Sequence, residues 1–307
     1  MDVTRSFSSC LPAPYLYITV HDQIKNIVKY SRDGCLLQSQ VLSGGKLSHS
    51  ELRGVKLGKY MERDALYVAD ANTDDTQVLV YGECNFQGVR TYRGYVVTSS
   101  TNIGASHAYG ITFDFDGNIY ISFQHTDVVL RFERDTFSPL PFPSALDYKA
   151  SRFYPGTFLQ YGMTGIHEDN QQGVRNIEFV DGFLWVANED INGVSIVDMN
   201  GHIVHTLEVD RPVGVFYDFN FAMVFVASKS EYGAVYGIHP KTYKTLKVYY
   251  IDGMEHPTGM TSYGNVLFVA EQSLKQVLTF NIDTTKFIRA IINDPPGKLE
   301  QIALTPC

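Results

Sequence analysis

The chain has 307 residues, of which 44% are hydrophobic and 13% aromatic, so it can bury a large core. Its formal net charge of −8 at pH 7 disfavours nonspecific binding to nucleic acid or to an anionic membrane. No run approaches the ~18 apolar residues of a membrane span, and residues 1–6 lack the apolar core of a signal peptide. We therefore expect a soluble, cytoplasmic monomer.

One short pattern recurs six times along the chain: five mostly apolar residues, rich in β-branched and aromatic side chains that suit a strand, followed by a polar turn. The six copies are LYITV at 16–20, LYVAD at 66–70, IYISF at 119–123, LWVAN at 184–188, VFVAS at 224–228 and LFVAE at 267–271. Consecutive copies start 40 to 65 residues apart, and a bare four-stranded propeller blade takes ~40–45 residues. The pattern predicts an all-β, six-bladed β-propeller that forms one domain over residues 1–307.

Taken in chain order, residues 1–13 precede the first repeat and are predicted to be a flexible N-terminal segment. The longest gap contains an insert at 137–155, which holds four prolines and falls between the third and fourth strands of blade 3. We expect a packed loop there, with a docking surface for a partner as the alternative. The fifth repeat shows the unit most clearly, with strands predicted at 213–217, 224–226, 234–238 and 243–250.

The tail at 299–304 resembles the innermost strand of the other repeats, whereas the first repeat has no such strand before it. We expect the tail to pair beside 16–20 and close the ring, which removes the exposed sheet edges of an open array. Closure would bring Cys307 towards Cys10. None of the four cysteines belongs to a Cys-x-x-Cys pair. We expect four reduced thiols, and a Cys10–Cys307 disulfide only in an oxidising compartment.

The entries into three predicted innermost strands read HAYGI at 107–111, RPVGV at 211–215 and HPTGM at 256–260, and each is followed by a turn and a five-residue repeat. In these features the chain resembles NHL-type six-bladed propellers over nearly its whole length. The resemblance implies binding of a protein, an RNA or a small ligand. Related six-bladed folds include gluconolactonases, strictosidine-synthase-like enzymes and the peptidyl-hydroxyglycine lyase. Fold does not choose among these activities, and the lack of a basic stripe with interleaved aromatics disfavours RNA.

The resemblance also implies a ring of residues around the axis, because the residue two places before the apolar anchor of each innermost strand tends to face the central pocket. The ring comprises Arg53, Tyr109, Arg175, Val213, Thr258 and Glu300. Guanidinium groups can hold a carboxylate or a phosphate through paired hydrogen bonds, so every ring residue except Val213 is a candidate contact for a small anionic group. The alternative is that Arg53 and Arg175 form structural ion pairs with Glu300 or nearby acids.

Histidines and acids are predicted to crowd the loops above this ring. His107 and His256 occupy equivalent positions in the opposed blades 3 and 6, where they would act as general acid, general base or metal ligand. Asp70 and Glu271 complete a candidate set of ligands for calcium or zinc, if the chain is an enzyme. The alternative is that these loop histidines are solvated and inert. The other histidines assigned to this face are His21, His49, His125 and His167.

Two functions remain open at this point. The first is a binding propeller whose axial pocket takes an anionic group from a small ligand or from a protein segment. The second is a hydrolase, lactonase or lyase that uses the histidines and carboxylates of the same face. The ring has one carboxylate and no histidine, unlike the metal-binding Asn, Asp and His that lactonases place near this level. A central catalytic metal is therefore disfavoured, and no cofactor is assigned.

Overall fold

The computed structural model describes residues 10–21, 26–45, 51–72, 75–98, 105–143, 154–159 and 173–307. Over these ranges the chain forms strands and turns, with no helix and hence no helix that could cross a membrane. The strands assemble into six sheets that follow one another along the chain. The predicted all-β, six-bladed propeller is confirmed.

The blades take the strands in chain order, from the axis outwards. Blade 1 contains β1 (Tyr15–His21), β2 (Ile27–Tyr30) and β3 (Leu36–Gln38). Blade 2 contains β5 (Leu52–Tyr60), β6 (Arg63–Asp70), β7 (Gln77–Cys84) and β8 (Arg90–Val97), with the short β4 (Leu42–Ser43) added in parallel outside β8. Blade 3 contains β9 (Ala108–Phe113), β10 (Ile119–Phe123), β11 (Val128–Phe132) and β12 (Thr157–Leu159). Blade 4 contains β13 (Val174–Val180), β14 (Phe183–Asn188), β15 (Gly193–Val197) and β16 (Ile203–Glu208). Blade 5 contains β17 (Pro212–Asp218), β18 (Met223–Ser228), β19 (Ala234–Ile238) and β20 (Thr245–Tyr249). Blade 6 contains β21 (Pro257–Tyr263), β22 (Val266–Glu271), β23 (Gln276–Asn281) and β24 (Phe287–Asn293), and β25 (Lys298–Thr305) returns to blade 1.

The five-residue repeats lie in the second strand of each blade, counted from the axis. They read as apolar runs because both faces of a blade pack against its neighbours, and every residue of β10 and β18 is buried. Five of the outermost strands expose at least two side chains, as in β20, whereas all three residues of β12 in blade 3 are buried. Side chains of adjacent blades interlock into clusters, such as that of Tyr67, Ile121 and Phe132 between blades 2 and 3. Apolar burial between blades therefore holds the ring together.

The ring closes through the C-terminal strand, as predicted. β25 pairs antiparallel with β1, with Leu304 opposite Leu16. The end of the chain also reaches blade 2, where Cys307 is bonded to Cys84, and the Tyr17 hydroxyl donates to the Cys307 carbonyl oxygen at 3.1 Å. The strand pairing thus completes blade 1, and the cross-link ties the end of β25 to blade 2.

All four cysteines are paired, which corrects the expectation of reduced thiols and of a Cys10–Cys307 bridge. The Cα atoms of Cys10 and Cys35 are 5.9 Å apart, and those of Cys84 and Cys307 are 6.2 Å apart, which suits two disulfides. Cys307 does not meet Cys10 because β25 delivers it to the end of β7 in blade 2. Cys10 is tied to the segment between β2 and β3, while residues 1–9 of the predicted flexible segment lie outside the described residues.

The insert predicted at 137–155 lies between β11 and β12 of blade 3. The Phe137 ring stacks on Tyr60 of blade 2 with 5.2 Å between centroids, and it meets Tyr67 edge-on at 6.5 Å. The start of the insert is therefore a packed loop that contacts the neighbouring blade. Residues 144–153 lie outside the described residues.

Each innermost strand contains one extra residue relative to its partner near the axis. In β5, three steps from Leu52 to Val55 match two steps along β6, and an equivalent shift occurs in β9, β13, β17, β21 and β25. Such a bulge redirects a side chain out of the regular alternation. Glycine follows the bulged residue in four blades, because a Cβ on Gly54 or Gly214 would collide with a backbone carbonyl of the next blade. The innermost strands thus pack closely around the axis and aim one side chain per blade at its end.

Candidate functional site

A cavity of about 520 Å³ opens at one end of the propeller axis, and we call it the axial cavity. Three positions of the repeat form most of its wall. The bulged residues of the innermost strands supply Arg53, Tyr109, Arg175, Val213 and Glu300. The residues two places earlier supply Glu51, His107, His256 and Lys298. The residues directly after the five-residue repeats supply His21, Gln124, Lys229 and Gln272.

Five of the six residues in the predicted ring therefore line the axial cavity, and Thr258 does not. Its side chain is 1% exposed, and its hydroxyl donates to the backbone carbonyl of Glu300 at 2.9 Å. Thr258 fastens β21 to β25 across the blade boundary. Its role as a ligand contact stays a prediction, and its observed contacts are with the protein backbone.

Glu300 is the centre of one cluster, which we call the Glu300 cluster. Arg53 pairs with its Oε1, Gln272 donates to the same oxygen at 2.9 Å, and the Tyr109 hydroxyl donates to Oε2 at 3.2 Å. His21 Nε2 lies 3.1 Å from Oε1. Burial alone would raise the pKa of Glu300, but Arg53 and His21 hold that pKa at about 2. This carboxylate is therefore ionised and occupied by protein groups.

Arg53 is also committed to protein partners. Its Nη1 pairs with Glu300 and its Nη2 donates to Glu51 Oε1 at 3.1 Å. Burial alone would lower the pKa of Arg53, but the Glu300 carboxylate raises it, so the guanidinium is always charged. Of the two sequence-based interpretations, the structural ion pair describes Arg53.

Glu189 is the centre of a second cluster, the Glu189 cluster, built by blades 4 and 5. Arg175 Nε donates to its Oε2 at 2.7 Å, Arg211 Nη2 to its Oε1 at 2.5 Å, and Lys229 Nζ to Oε1 at 3.2 Å. Burial alone would raise the pKa of Glu189, but Arg175 and Lys229 hold that pKa at about 2. Three cations share one carboxylate here. The cluster therefore keeps surplus positive charge, and Arg175 and Lys229 present it to the axial cavity.

Tyr109 stands between the two clusters. The centroid of its ring is 5.9 Å from the Arg53 guanidinium carbon and 5.4 Å from that of Arg175, within range of a cation–π attraction. Burial and the Glu300 carboxylate raise the pKa of Tyr109, so the phenol keeps its proton and donates it to Glu300. The ring supports both guanidinium groups without changing the local charge.

His107 and His256 both reach the axial cavity and both are neutral at pH 7. Burial, then His125 and Arg53, lower the pKa of His107 to about 3, and burial and Lys229 lower that of His256 to about 4. The His107 ring stacks on His125 with 4.0 Å between centroids. Its Nδ1 is buried and has no hydrogen-bond partner within the described part of the chain. Two other predicted members of this tier, at positions 49 and 167, lie outside the described residues.

The structure describes all four candidate metal ligands. Among the residues that the structure describes, no group of three or more His, Cys, Asp or Glu side chains could hold a metal ion. Glu271 instead accepts hydrogen bonds from the backbone N–H groups of His256 and Leu274, both at 2.5 Å, and Asp70 is fully buried at the end of β6. The set of Asp70, His107, His256 and Glu271 stays a prediction, and within it Glu271 serves the loop backbone.

Several residues of the axial cavity were not among the predicted contacts, and the sequence did contain a signal for some of them. The residue directly after each five-residue repeat is His21, Ala71, Gln124, Glu189, Lys229 or Gln272. This residue lines the axial cavity in four of the six blades. Five of the six are polar, which distinguishes this position from the apolar repeat before it. Glu51 and Lys298, two places before the ring residues of β5 and β25, follow from the same register.

No family model matches the chain, and no curated protein matches it. Solved structures share its fold. A chain of a crystallised nidogen/laminin complex superposes with a TM-score of 0.63 at 12% sequence identity, covering 95% of this chain and 98% of that chain. A protein of unknown function from Bacteroides caccae superposes with a TM-score of 0.61 at 10% identity, covering 95% and 99%. At these identities the likeness supports the β-propeller fold alone, and the resemblance to NHL-type propellers stays a prediction.

Proposed function

We propose that this chain is a binding propeller whose axial cavity accepts an anionic group of a small ligand. The charge of the cavity carries the proposal: four cationic side chains line it against two carboxylates, in a chain whose net charge is −8. A concave site walled mainly by one sign of charge concentrates ligands of the opposite sign. The cations are Arg53, Arg175, Lys229 and Lys298, and the carboxylates are Glu51 and Glu300.

Most of the remaining wall is polar, which suits a ligand with hydrogen-bonding groups beside its anionic group. Gln124 and Gln272 provide amides, and His107 and His256 provide neutral imidazoles. An acidic side chain on a protein segment presents the same chemistry, so a partner segment is the alternative source of the anion.

A thermal-shift screen tests this function. Anionic, neutral and cationic metabolites are compared on the wild type, on Arg175→Ala, and on Lys241→Ala as a control. Lys241 is exposed in the turn between β19 and β20, away from the axial cavity. Because a ligand that binds only the folded state stabilises it by mass action, anions should raise the melting temperature of the wild type and of the control, but not of Arg175→Ala. No response to any anion would contradict the proposal.

An enzyme is the second candidate, and His107 is the observation that favours it. A general base can be a neutral imidazole that lines a cavity, and His107 is one whose Nδ1 has no hydrogen-bond partner among the described residues. The test is turnover of ester and lactone panels by the wild type and by His107→Gln. Turnover that the variant loses would support the enzyme, whereas equal turnover in both would exclude His107 as its base.

The pairing of all four cysteines favours an oxidising compartment over the cytoplasm expected from the sequence, because the cytosol keeps thiols reduced. Alkylation of the denatured, unreduced protein from its natural source measures this. Four unlabelled cysteines support the oxidising compartment, and four labelled ones support the cytoplasm.

A further inference from the structure

The proposed function can be narrowed to one binding place for the anionic group in the axial cavity, which we call the seat. Building on that function, we infer that Arg175, Arg211 and Lys229 bind a doubly charged oxyanion, the phosphate group of a small phosphate monoester. The Glu300 cluster forms a fixed wall beside this seat and does not contact the phosphate. The proposal thus divides the axial cavity into an anion subsite at blades 4 and 5 and a remainder in which Arg53 pairs with Glu300 and Glu51.

The first argument is the number of hydrogen-bond donors left over in the Glu189 cluster. Arg175 uses Nε and Nη2 on Glu189, and Arg211 uses only Nη2. Lys229 uses one of its three ammonium donors. Within the described ranges, Nη1 of Arg175 and both Nε and Nη1 of Arg211 have no acceptor. A tetrahedral oxyanion needs several donors from different directions. Arg175 and Lys229 line the axial cavity, and Arg211 is joined to them through Glu189.

The second argument is charge. Three cations surround Glu189, which is ionised, so the cluster has two surplus positive charges. A phosphate monoester carries close to two negative charges above its second pKa of about 6. A dianion therefore neutralises the cluster, whereas a monocarboxylate leaves one charge unmatched. Arg53, by contrast, already pairs with two carboxylates, Glu300 and Glu51.

The third argument is an independent polar atom beside the seat. His107 Nδ1 is buried, has no partner among the described residues, and belongs to a ring that lines the axial cavity. The side chain is 4% exposed, and a buried polar atom without a partner is costly unless a ligand or water satisfies it. His107 and Arg175 both line the axial cavity. A polar group adjoining the phosphate would complete the bonding of His107.

Titration calorimetry at pH 8 with inorganic phosphate as the probe tests the seat. Lys229→Met and Arg211→Gln should each weaken binding about tenfold, because each removes a charge-assisted hydrogen bond. Glu189→Gln should strengthen binding about tenfold, because it removes the competing carboxylate. Lys229→Arg keeps the charge and should retain most of the affinity, and Lys241→Met, the matched lysine of blade 5 outside the cavity, should equal the wild type. Melting curves of each variant establish that it is folded.

The outcomes separate this inference from the function on which it rests. Phosphate binding that is unchanged in folded Lys229→Met and in Glu189→Gln would overturn the seat, while leaving an anion-binding propeller in place. No binding of phosphate, sulfate or carboxylates by the wild type would overturn both. Acetate that binds as tightly as phosphate would overturn the dianion preference.

The source of the phosphate is distinguished in a second arm. O-phosphoserine, as a free amino acid, should compete with inorganic phosphate with at least equal affinity, since the cavity of about 520 Å³ can enclose it. A peptide with phosphoserine in its middle must also fit its flanking residues at the opening. Binding of the peptide with much higher affinity than the free amino acid would overturn the small-molecule assignment in favour of a phosphorylated protein segment.

Discussion

The Glu300 and Glu189 clusters both have a buried carboxylate at their centre, and both carboxylates have a pKa held at about 2. Their surroundings differ. Glu300 is held by Arg53 and by neutral donors, and Arg53 also pairs with Glu51. Glu189 is held by three cations. The comparison teaches that a perturbed pKa marks a charged pair without revealing its role, whereas the balance of charge and spare donors distinguishes a structural pair from a binding seat.

The largest expected effect is on stability, from removing the charge of Glu300. Glu300→Gln leaves Arg53 buried beside fewer partners, and breaking a buried ion pair costs about 3–5 kcal/mol. Urea unfolding measures the loss. Glu189→Gln is the matched variant. It should lower the free energy of unfolding by only about 1–2 kcal/mol, because water partly solvates the three cations around Glu189 and weakens their mutual repulsion. Equal losses would contradict the division into a structural and a binding cluster.

The cross-link at the seam should stabilise the structural side. Glu300 lies on β25, and Cys307 ties the end of that strand to Cys84 of blade 2. Cys84→Ser with Cys307→Ser should lower the free energy of unfolding by about 2–4 kcal/mol. The control is Cys10→Ser with Cys35→Ser. It removes a disulfide that closes a loop of 25 residues instead of 223, so the free energy of unfolding should fall by less. If Cys84→Ser with Cys307→Ser lowered the free energy of phosphate binding as much as the free energy of unfolding, the two clusters would be coupled.

Acid should destabilise the protein in two stages. The pKa values of His107, at about 3, and His256, at about 4, lie below the unfolded value of about 6.5, so the unfolded chain binds more protons and stability falls as pH drops below about 6.5. The pKa values of Glu300 and Glu189 are held at about 2, so below about pH 4.5 the unfolded chain again binds more protons and stability falls a second time. His256→Gln should flatten the first stage by about 2 kcal/mol between pH 6.5 and 4.5, measured by urea unfolding at several pH values. A slope between pH 6.5 and 4.5 that the variant leaves unchanged would contradict the assignment.

The smallest effect concerns salt. Added chloride screens the exposed part of the Glu189 cluster more than the buried Glu300 pair, because screening acts most strongly on solvated charges. Raising the salt concentration should therefore weaken phosphate binding several-fold while leaving the cost of Glu300→Gln nearly constant. Titration calorimetry and urea unfolding at low and high salt compare the two, and parallel changes would argue against the distinction.

Much of the fold could be predicted because buried strands require apolar residues, which appear in the sequence as a recognisable pattern. The six apolar repeats occupy the second strands, and the tail at 299–304 closes the ring beside β1, since each position has both faces covered. The extra strand β4 was not predictable, because its two residues pair in parallel with β8 and follow no period. Nor was the pairing of Cys84 with Cys307, since their separation along the chain says nothing about distance in the ring.

The candidate site was predictable in position and less so in partnership. The residue two before each anchor lies at the axial cavity in five blades, although its role as a ligand contact stays a prediction. Arg53 pairs with Glu51, and Arg175 shares Glu189 with Lys229, and none of these three partners was among the predicted site residues. They are Glu51, Glu189 and Lys229. The last two directly follow a repeat, in a register that becomes evident only when all second strands are aligned at their ends. The other ion pairs, such as Arg53 with Glu300, depend on how far side chains extend between blades, which the sequence does not show.

The position of a bound dianion tests the central claim most directly. Crystals of the wild type and of Lys229→Met would be soaked in selenate, and the anomalous signal of selenium would locate the ion. The account predicts one selenium peak within hydrogen-bond reach of Arg175 Nη1 and Lys229 Nζ in the wild type, and its loss in the variant. A peak beside Arg53 and Glu300, or one that persists unchanged in Lys229→Met, would contradict the account.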